Sequence, residues 1–154
     1  MNDLIFVGPA PGRGDSTRPL EGVIGEKLRR LLCMSSEEWL LQNRTNLNKE
    51  WPGKNGKGDS FNTIEGYSTA LHLMEGPYKR FVLLGENVTK CFYHQWEPLK
   101  IFSTTEHRRY LLLPHPSGIN TWWNSRVNVE KARTALQAFV CWTNQYHLDP
   151  YAKT

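Results

Sequence analysis

The sequence predicts an α/β protein with three layers, α/β/α, built around a central, mostly parallel four-stranded sheet. Two features of the 154-residue chain support this prediction. Short apolar runs that end at glycine or proline alternate with stretches whose apolar residues recur at helical spacing. The apolar runs are also continuous, which is typical of strands buried on both faces. Such an alternation indicates a parallel sheet covered by helices, with functional loops at the carboxyl ends of the strands.

Four runs are predicted to form the strands of this sheet. Three are strongly apolar and stop at Gly8, Gly85 and Pro114, whereas the fourth is weaker and is stopped by the turn at Pro52 and Gly53. In chain order the runs are Leu4–Val7, Arg44–Leu47, Phe81–Leu84 and Tyr110–Leu113.

Three intervals of the chain place apolar residues on one helical face, and the last of them predicts a C-terminal helix of roughly 16 residues. Ser35 and Glu38 have the spacing of a capping box, which predicts a further short helix. The apolar positions are Ile24, Leu28, Leu31 and Leu32; then Ile64, Tyr67, Leu71 and Met74; and then Val129, Ala132, Leu136, Phe139 and Val140.

Composition limits the class of protein. Lys and Arg number 19 against 15 Asp and Glu, a net charge of +4, and the hydrophobic fraction of 39% is enough for one core. We therefore expect a single domain over residues 1–154. No apolar run approaches a membrane span, and Met1-Asn2-Asp3 lacks the basic residues of a secretion signal. Three scattered cysteines exclude a disulfide framework and a four-cysteine metal site, so we expect a cytoplasmic protein without metal or cofactor.

The segment GPAPGRGDSTRPLEGVIG, residues 8–25, follows the first predicted strand. Its glycines and prolines predict a tight loop that leads into a helix, so that backbone N–H groups face any bound ligand. A phosphate or a base carbonyl would suit this place. The segment has neither the GK[ST] ending of a Walker loop nor the GxGxxG pattern. An ordinary strand-to-helix turn is the alternative interpretation.

The segment LLLPHPSGINTWWN, residues 111–124, brings a histidine directly after a predicted strand. Pro114 and Pro116 limit the backbone freedom of His115, which helps to hold its imidazole in place. A neutral imidazole N–H would stabilise negative charge that develops on a substrate oxygen. A structural histidine is the alternative, but the glycine-rich first loop opposite favours a functional one.

The two loops together resemble the signature motifs of the uracil-DNA glycosylase superfamily. In its iron–sulfur branch the first motif is similar to GEAPG followed by PFVGRAG, and here Gly8–Gly12 (GPAPG) and Pro19–Gly25 (PLEGVIG) stand in those places. The second motif is similar to HPSPLS or NPSGLS in other branches, and here it is His115–Asn120 (HPSGIN). The VLLGENV segment resembles the third strand and following helix of that family. The motifs occur in the family's order, and the resemblance extends from Leu4 to Phe139.

The resemblance implies an enzyme that flips a base out of DNA and cleaves its N-glycosidic bond. By this analogy His115 donates a hydrogen bond to O2 of the base as the base departs as an anion. Ala10, Pro11 and Leu20 fall at base-binding positions. Leu20 stands where many members place a phenylalanine, and leucine offers no π-face for stacking.

The resemblance also implies that an asparagine at the end of the second strand reads the base, and Asn46 stands at that position. Its amide both donates and accepts, as uracil N3–H and O4 require. Asn43 and Asn48 are close alternatives, and a turn asparagine is the structural alternative for each of the three.

Contacts to DNA are also implied by the second motif. Ile119 falls at the position of the wedge that fills the gap left by the flipped base. Ser117 and Gly118 would approach phosphates, and Asn120 completes the DNA-binding segment.

A basic loop, WPGKNGKGDSF, occupies residues 51–61. Lys54 and Lys57 alternate with glycines there, so that two cations and backbone amides would meet a phosphate. A solvated flexible loop is the alternative. A basic groove would follow if the arginines near the motif loops share one face; these are Arg13, Arg18, Arg108, Arg109 and Arg126.

The chain departs from the family pattern at the residue that activates water. Members often have Asp, Asn or Glu within the first motif, where this chain has Pro9 and Ala10. Asp15 lies just downstream and is the substitute candidate, with a turn carboxylate as its alternative. The cysteine count also departs from the iron–sulfur branch, so no cluster is expected.

These observations predict a monomeric, monofunctional DNA glycosylase that acts on uracil or a related modified pyrimidine in single-stranded, mispaired or damaged DNA. No lysine stands in a motif position to form a Schiff base, so no lyase step is expected. A weak or inactive glycosylase-fold protein that binds DNA or a modified base is the first alternative. An enzyme that acts on free nucleosides or nucleotides is the second.

Overall fold

The computed structural model describes residues 2–13, 18–56, 58–117 and 120–141. Strands and helices alternate along most of this chain. In order, the elements are β1 (Leu4–Gly8), α1 (Val23–Leu31), α2 (Ser36–Leu40), β2 (Asn43–Asn46), β3 (Lys54–Asn55), β4 (Gly58–Asp59), α3 (Thr63–Glu75), β5 (Arg80–Leu84), α4 (Glu86–Cys91), β6 (Ile101–Ser103), β7 (Arg109–Leu113), a 3-10 helix (Thr121–Asn124) and α5 (Arg126–Val140).

The main sheet has five strands in the order β2-β1-β5-β7-β6. The first four are mutually parallel, and β6 pairs antiparallel with β7, so the sheet is mostly parallel as predicted. The predicted number of four strands is wrong. The sequence gives no signal for β6 because this three-residue edge strand is exposed or half-buried and needs no apolar run. Strands β3 and β4 form a separate two-stranded hairpin.

The apolar runs are buried on both faces of the sheet. In β1, Leu4 and Phe6 belong to one buried cluster, and Ile5 and Val7 belong to another. Residues of α1 and α5 complete the first cluster, and residues of α3 and α4 complete the second. Successive strand residues point to opposite faces, so a continuous apolar run is the pattern that two covered faces require.

Most of the predicted helices are found close to their predicted positions. The capping box before α2 is present: Ser35 Oγ accepts from the N–H of Glu38 at 3.1 Å, and Glu38 Oε1 accepts from the N–H of Ser35 at 2.8 Å. Helix α5 begins three residues before its first predicted apolar position, because Ser125 caps it at the backbone N–H of Asn128. In the described part of the chain, no helix has both the length and the apolar character needed to cross a membrane.

The parallel strands all end at one edge of the sheet, which we call the carboxyl edge. Gly8 lies opposite Asn46 in the β1–β2 register, and Leu84 lies opposite Leu113 in the β5–β7 register. The β1–β2 pairing continues past the strand ends, since the N–H of Leu47 donates to the carbonyl of Gly8 at 2.9 Å. The loops after β1, β2, β5 and β7 therefore begin side by side.

Candidate functional site

A cleft of about 210 Å³ opens at the carboxyl edge beside the ends of β1 and β2. Its wall contains all four residues that the sequence suggested for base binding, namely Ala10, Pro11, Leu20 and Asn46. Arg18 also lines this cleft, and its guanidinium forms an ion pair with Glu21 at 3.4 Å. Two larger depressions, of about 590 and 670 Å³, lie along α1 and α5 and contain none of the residues suggested for catalysis or base binding, although Arg126 lines the second.

The backbone at Leu20 is held in an unusual conformation. Its φ angle is 58°, in the left-handed region that leucine rarely adopts. Its carbonyl oxygen accepts a hydrogen bond from Trp39 Nε1 at 2.9 Å and would lie 1.6 Å from a Cβ atom at Gly25. Only glycine at position 25 allows this approach, which explains the second glycine of the PLEGVIG segment. The Leu20 side chain is thereby fixed in the cleft wall.

Asn43 and Asn48, the alternatives to Asn46, have structural roles. Asn48 is fully buried, donates through Nδ2 to the carbonyl of Asn62 at 2.9 Å and accepts through Oδ1 from the N–H of Asn62 at 2.7 Å. Asn43 donates through Nδ2 to the carbonyl of Leu4 at 3.0 Å. Their amides are therefore committed within the fold.

Asn46 differs from both, because its Oδ1 is buried without a hydrogen-bond partner among the described residues. This oxygen would lie 2.6 Å from a Cβ atom at Gly8, so the amide occupies space that Gly8 leaves empty above the end of β1. A buried carbonyl oxygen without a donor is costly in a folded protein. A ligand N–H in the cleft would supply the missing donor.

The loop that contains His115 is fixed by its own asparagine and tryptophan. The carbonyl oxygen of His115 accepts from Asn120 Nδ2 and from Trp123 Nε1, both at 3.0 Å. Oδ1 of Asn120 accepts from the N–H of Trp122 at 3.1 Å. The Asn120 amide, which the sequence suggested for DNA contact, therefore holds the loop. Ser117 is half-buried in the same loop, and its carbonyl accepts from the N–H of Asn120.

The imidazole of His115 is kept neutral by its surroundings. Burial lowers the pKa of His115 to about 4, and the nearby negative charge of Asp59 opposes this effect only in part. A neutral imidazole has one N–H donor and gains no positive charge before reaction, so it can donate to an oxygen that becomes negative. The site thus provides a donor for a developing anion.

Asn46 ends β2, and His115 lies two residues after the end of β7. The backbones of these two strands are three strand spacings apart, or about 14 Å, and His115 is not among the residues that line the cleft. Between them lie the ends of β1 and β5, where glycine replaces any side chain: Oδ1 of Asn46 lies over Gly8, and the Cβ atom of His115 would lie 3.2 Å from a Cβ atom at Gly85. Gly8 thus leaves room for the Asn46 amide, and Gly85 leaves room for the His115 side chain.

Several predicted residues cannot be assigned a place. Asp15, Lys57, Gly118 and Ile119 lie outside the described residues. Lys54 is described; it is exposed in β3.

Two of the arginines near the motif loops in sequence do not share a face with the site. Arg108 and Arg109 precede or begin β7, so they lie at the opposite edge of the sheet from His115. The Arg108 guanidinium donates there to the carbonyl of Met74 at 3.2 Å. Arg13 belongs to the carboxyl edge, where its guanidinium carbon lies 5.6 Å from the centre of the Trp51 ring. A residue close to a motif loop in sequence can lie far from it in space, because the two ends of a strand are separated by the length of that strand.

Asp59 is a site residue that sequence reasoning missed. It is the last residue of β4, and its negative charge acts on the His115 imidazole although 56 positions separate the two in the chain (115 − 59 = 56). The available signal was one carboxylate in the otherwise basic GKGDSF segment.

No group of three or more His, Cys, Asp or Glu among the described residues is arranged to hold a metal ion. No family model and no curated protein matches the chain.

Proposed function

We propose that the protein is a monofunctional DNA glycosylase with a uracil-DNA glycosylase-like fold, which hydrolyses the N-glycosidic bond of uracil or a related modified pyrimidine after base flipping. The observation that supports this most directly is that Asn46, whose amide oxygen has no partner, and His115, whose imidazole is neutral, lie at the same edge of the sheet. A pyrimidine offers complementary groups to both, and a duplex hides them until the base is flipped.

Asn46 is the proposed reader of the base. Its unpartnered Oδ1 accepts from N3–H of uracil, and its Nδ2 donates to O4. Cytosine has an acceptor at N3 and a donor at the 4-position, so the same amide orientation opposes it. Ala10, Pro11 and Leu20 supply the apolar walls of the cleft.

His115 is the proposed electrostatic catalyst. As the C1′–N1 bond breaks, negative charge develops on the base and is shared with O2. The neutral imidazole donates its N–H to that oxygen, in a half-buried place where such a hydrogen bond is stronger than in water. Asn120 and Trp123 hold the loop backbone, so this donor needs little reorganisation during the reaction.

The proposed partner is DNA, single-stranded or with a mispaired or damaged base. Arg18 in the cleft, Arg13 beside Trp51 and the exposed Lys54 bring positive charge to the carboxyl edge. With a net charge of +4, binding without a target base is expected to be modest and to weaken as salt rises. We propose that the protein acts as a monomer in the cytoplasm.

Base release from labelled oligonucleotides tests this function. Substrates contain uracil in single strands, opposite A and opposite G, together with hydroxymethyluracil and thymine mispairs, and alkali reveals abasic sites. The expected result is release of one of these bases by the wild type and none by His115→Ala. Free deoxyuridine serves as a control, because an enzyme of nucleosides would cleave it equally well. Absence of release from every substrate at high enzyme concentration contradicts the proposal.

A DNA-binding protein without catalysis is the second candidate. Pro9 and Ala10 favour it, because neither side chain can polarise water where family members often place Asp, Asn or Glu. Tight, salt-sensitive binding of a modified oligonucleotide without any release of base would support this candidate over the first.

A further inference from the structure

The proposed reaction, on which this inference rests, requires a water molecule at C1′ of the sugar and a group that accepts its proton. Residues 9–13 of the first loop, PAPGR, contain no carboxylate or amide side chain. Of the other carboxylates near this edge, Glu21 pairs with Arg18 and Arg44, and Glu86 pairs with Lys90. The hairpin formed by β3 and β4 carries a further carboxylate, that of Asp59.

The base of this hairpin is fixed to the carboxyl edge. Asn48 lies two residues after the end of β2, and its backbone N–H donates to the carbonyl of Pro9 at 2.8 Å. Its buried side chain forms two hydrogen bonds with the backbone of Asn62, which closes the far end of the segment. The N–H of Ser60 donates to the carbonyl of Gly53 at 2.7 Å and closes the hairpin itself. The hairpin is thus held between the first loop and α3.

Asp59 lies on this hairpin and is exposed to solvent. Its negative charge raises the pKa of the half-buried His115 imidazole, against the larger effect of burial. Lys54 is its cross-strand neighbour, but no ion pair joins the two, and within the described ranges the Asp59 carboxylate forms no side-chain hydrogen bond. Both carboxylate oxygens therefore stay available to water.

We propose that Asp59 is the catalytic carboxylate that holds and deprotonates the attacking water. The water oxygen forms a bond to C1′ while the C1′–N1 bond breaks, and the electron pair of that bond leaves with the base. The proton of the water passes to the Asp59 carboxylate and then to solvent. The base anion, stabilised by the N–H of His115, takes a proton from solvent. The products are an abasic deoxyribose and the neutral base.

Single-turnover base release, measured on an oligonucleotide that the wild type cleaves, tests this role. Asp59→Asn is expected to slow release by about 100-fold or more, in the range of general-base catalysis, with unchanged affinity for the same oligonucleotide. Asp59→Glu keeps the carboxylate and is expected to retain more activity than Asp59→Asn. Glu75→Gln is the matched control, because it removes one exposed negative charge from the far end of α3.

A second measurement tests the placement of Asp59 independently of activity. An NMR titration follows the imidazole of His115 in the wild type and in Asp59→Asn. Loss of the neighbouring negative charge is expected to lower the pKa of His115 further, and Glu75→Gln is expected to leave it unchanged. An unchanged His115 titration in Asp59→Asn overturns the placement, and the inference with it.

The outcomes separate this inference from the proposed function. If the wild type releases no base, both fall. If the wild type releases base and His115→Ala does not, but Asp59→Asn reacts at the wild-type rate, the function stands and the role of Asp59 is refuted. Loss of release in Asp15→Asn with full activity in Asp59→Asn would assign the water to Asp15 instead.

Discussion

Oδ1 of Asn46 lies 2.6 Å from the position that a Cβ atom of Gly8 would occupy. A side chain at position 8 would collide with the Asn46 amide of the neighbouring strand, so only glycine fits there. The Cδ2 atom of Leu20 would lie 2.9 Å from the same Cβ position. One small residue thus permits the polar wall and the apolar wall of the cleft to meet.

Gly8→Ala is expected to displace the Asn46 amide and to weaken base release without unfolding the protein. The added methyl group would approach Oδ1 of Asn46 closer than real Cβ contacts allow, so the side chain must move. The measurement is kcat/KM for base release together with the thermal midpoint. Gly12→Ala is the matched control, since a Cβ atom there meets nothing within 4 Å. Equal activities of the two variants would argue against this role of Gly8.

Asn46 and Asn48 are expected to respond differently to truncation. Asn46→Ala removes the proposed pair of hydrogen bonds to the base, each worth about 1.4 kcal/mol, so kcat/KM is expected to fall about 100-fold while stability is kept. Asn48→Ala leaves the backbone N–H of Asn62 without a partner, whereas the carbonyl of Asn62 keeps the N–H of Gly66, and the variant is expected to lower the free energy of unfolding by about 1 to 3 kcal/mol. Urea unfolding and base release on both variants check the contrast. A stable, fully active Asn46→Ala would exclude Asn46 as the reader.

The depressed pKa of His115 predicts a loss of stability in mild acid. Between pH 6.5 and pH 4 the unfolded chain binds a proton at this histidine and the native protein does not, so stability falls as pH falls through that window. The contribution of His115 amounts to at most about 3 kcal/mol. Urea unfolding at pH 7 and pH 4.5 measures it, and His115→Asn is expected to show a smaller decrease. The same decrease in both proteins would place the titrating group elsewhere.

Gly25 is expected to tolerate no side chain. A Cβ atom at this position would lie 1.6 Å from the carbonyl oxygen of Leu20, which is backbone and cannot rotate away. Gly25→Ala is therefore expected to prevent folding or to lower the free energy of unfolding by more than about 3 kcal/mol. Trp39→Phe is a milder variant that removes the hydrogen bond to the same oxygen and is expected to cost about 1 kcal/mol. Circular dichroism during thermal unfolding checks both, and a wild-type midpoint for Gly25→Ala would contradict the contact.

The strands of the sheet differ in how well sequence patterns predict them. The residues of β1, β5 and β7 are almost all buried, because helices cover both faces, and a continuous apolar run reports that situation directly. Strand β6 lies at an edge with its residues exposed or half-buried, so no apolar pattern distinguishes it from a loop. Strand β2 lies at the other edge, and its half-buried NRTN sequence gives only a weak signal.

Some features of the candidate site could likewise be predicted from the sequence, and others could not. The sequence by itself determined which loops hold the candidate chemistry, since a histidine after one strand and a glycine-rich turn after another are local features of the chain. Only the tertiary structure showed that Asn43 and Asn48 have partners within the fold and that Asn46 Oδ1 has none among the described residues, because such partners are distant in the sequence, as Asn62 is from Asn48. The same holds for Asp59, whose charge reaches His115 across the folded chain. Spatial proximity between residues far apart in sequence follows from how the strands and loops pack, and no local pattern contains it.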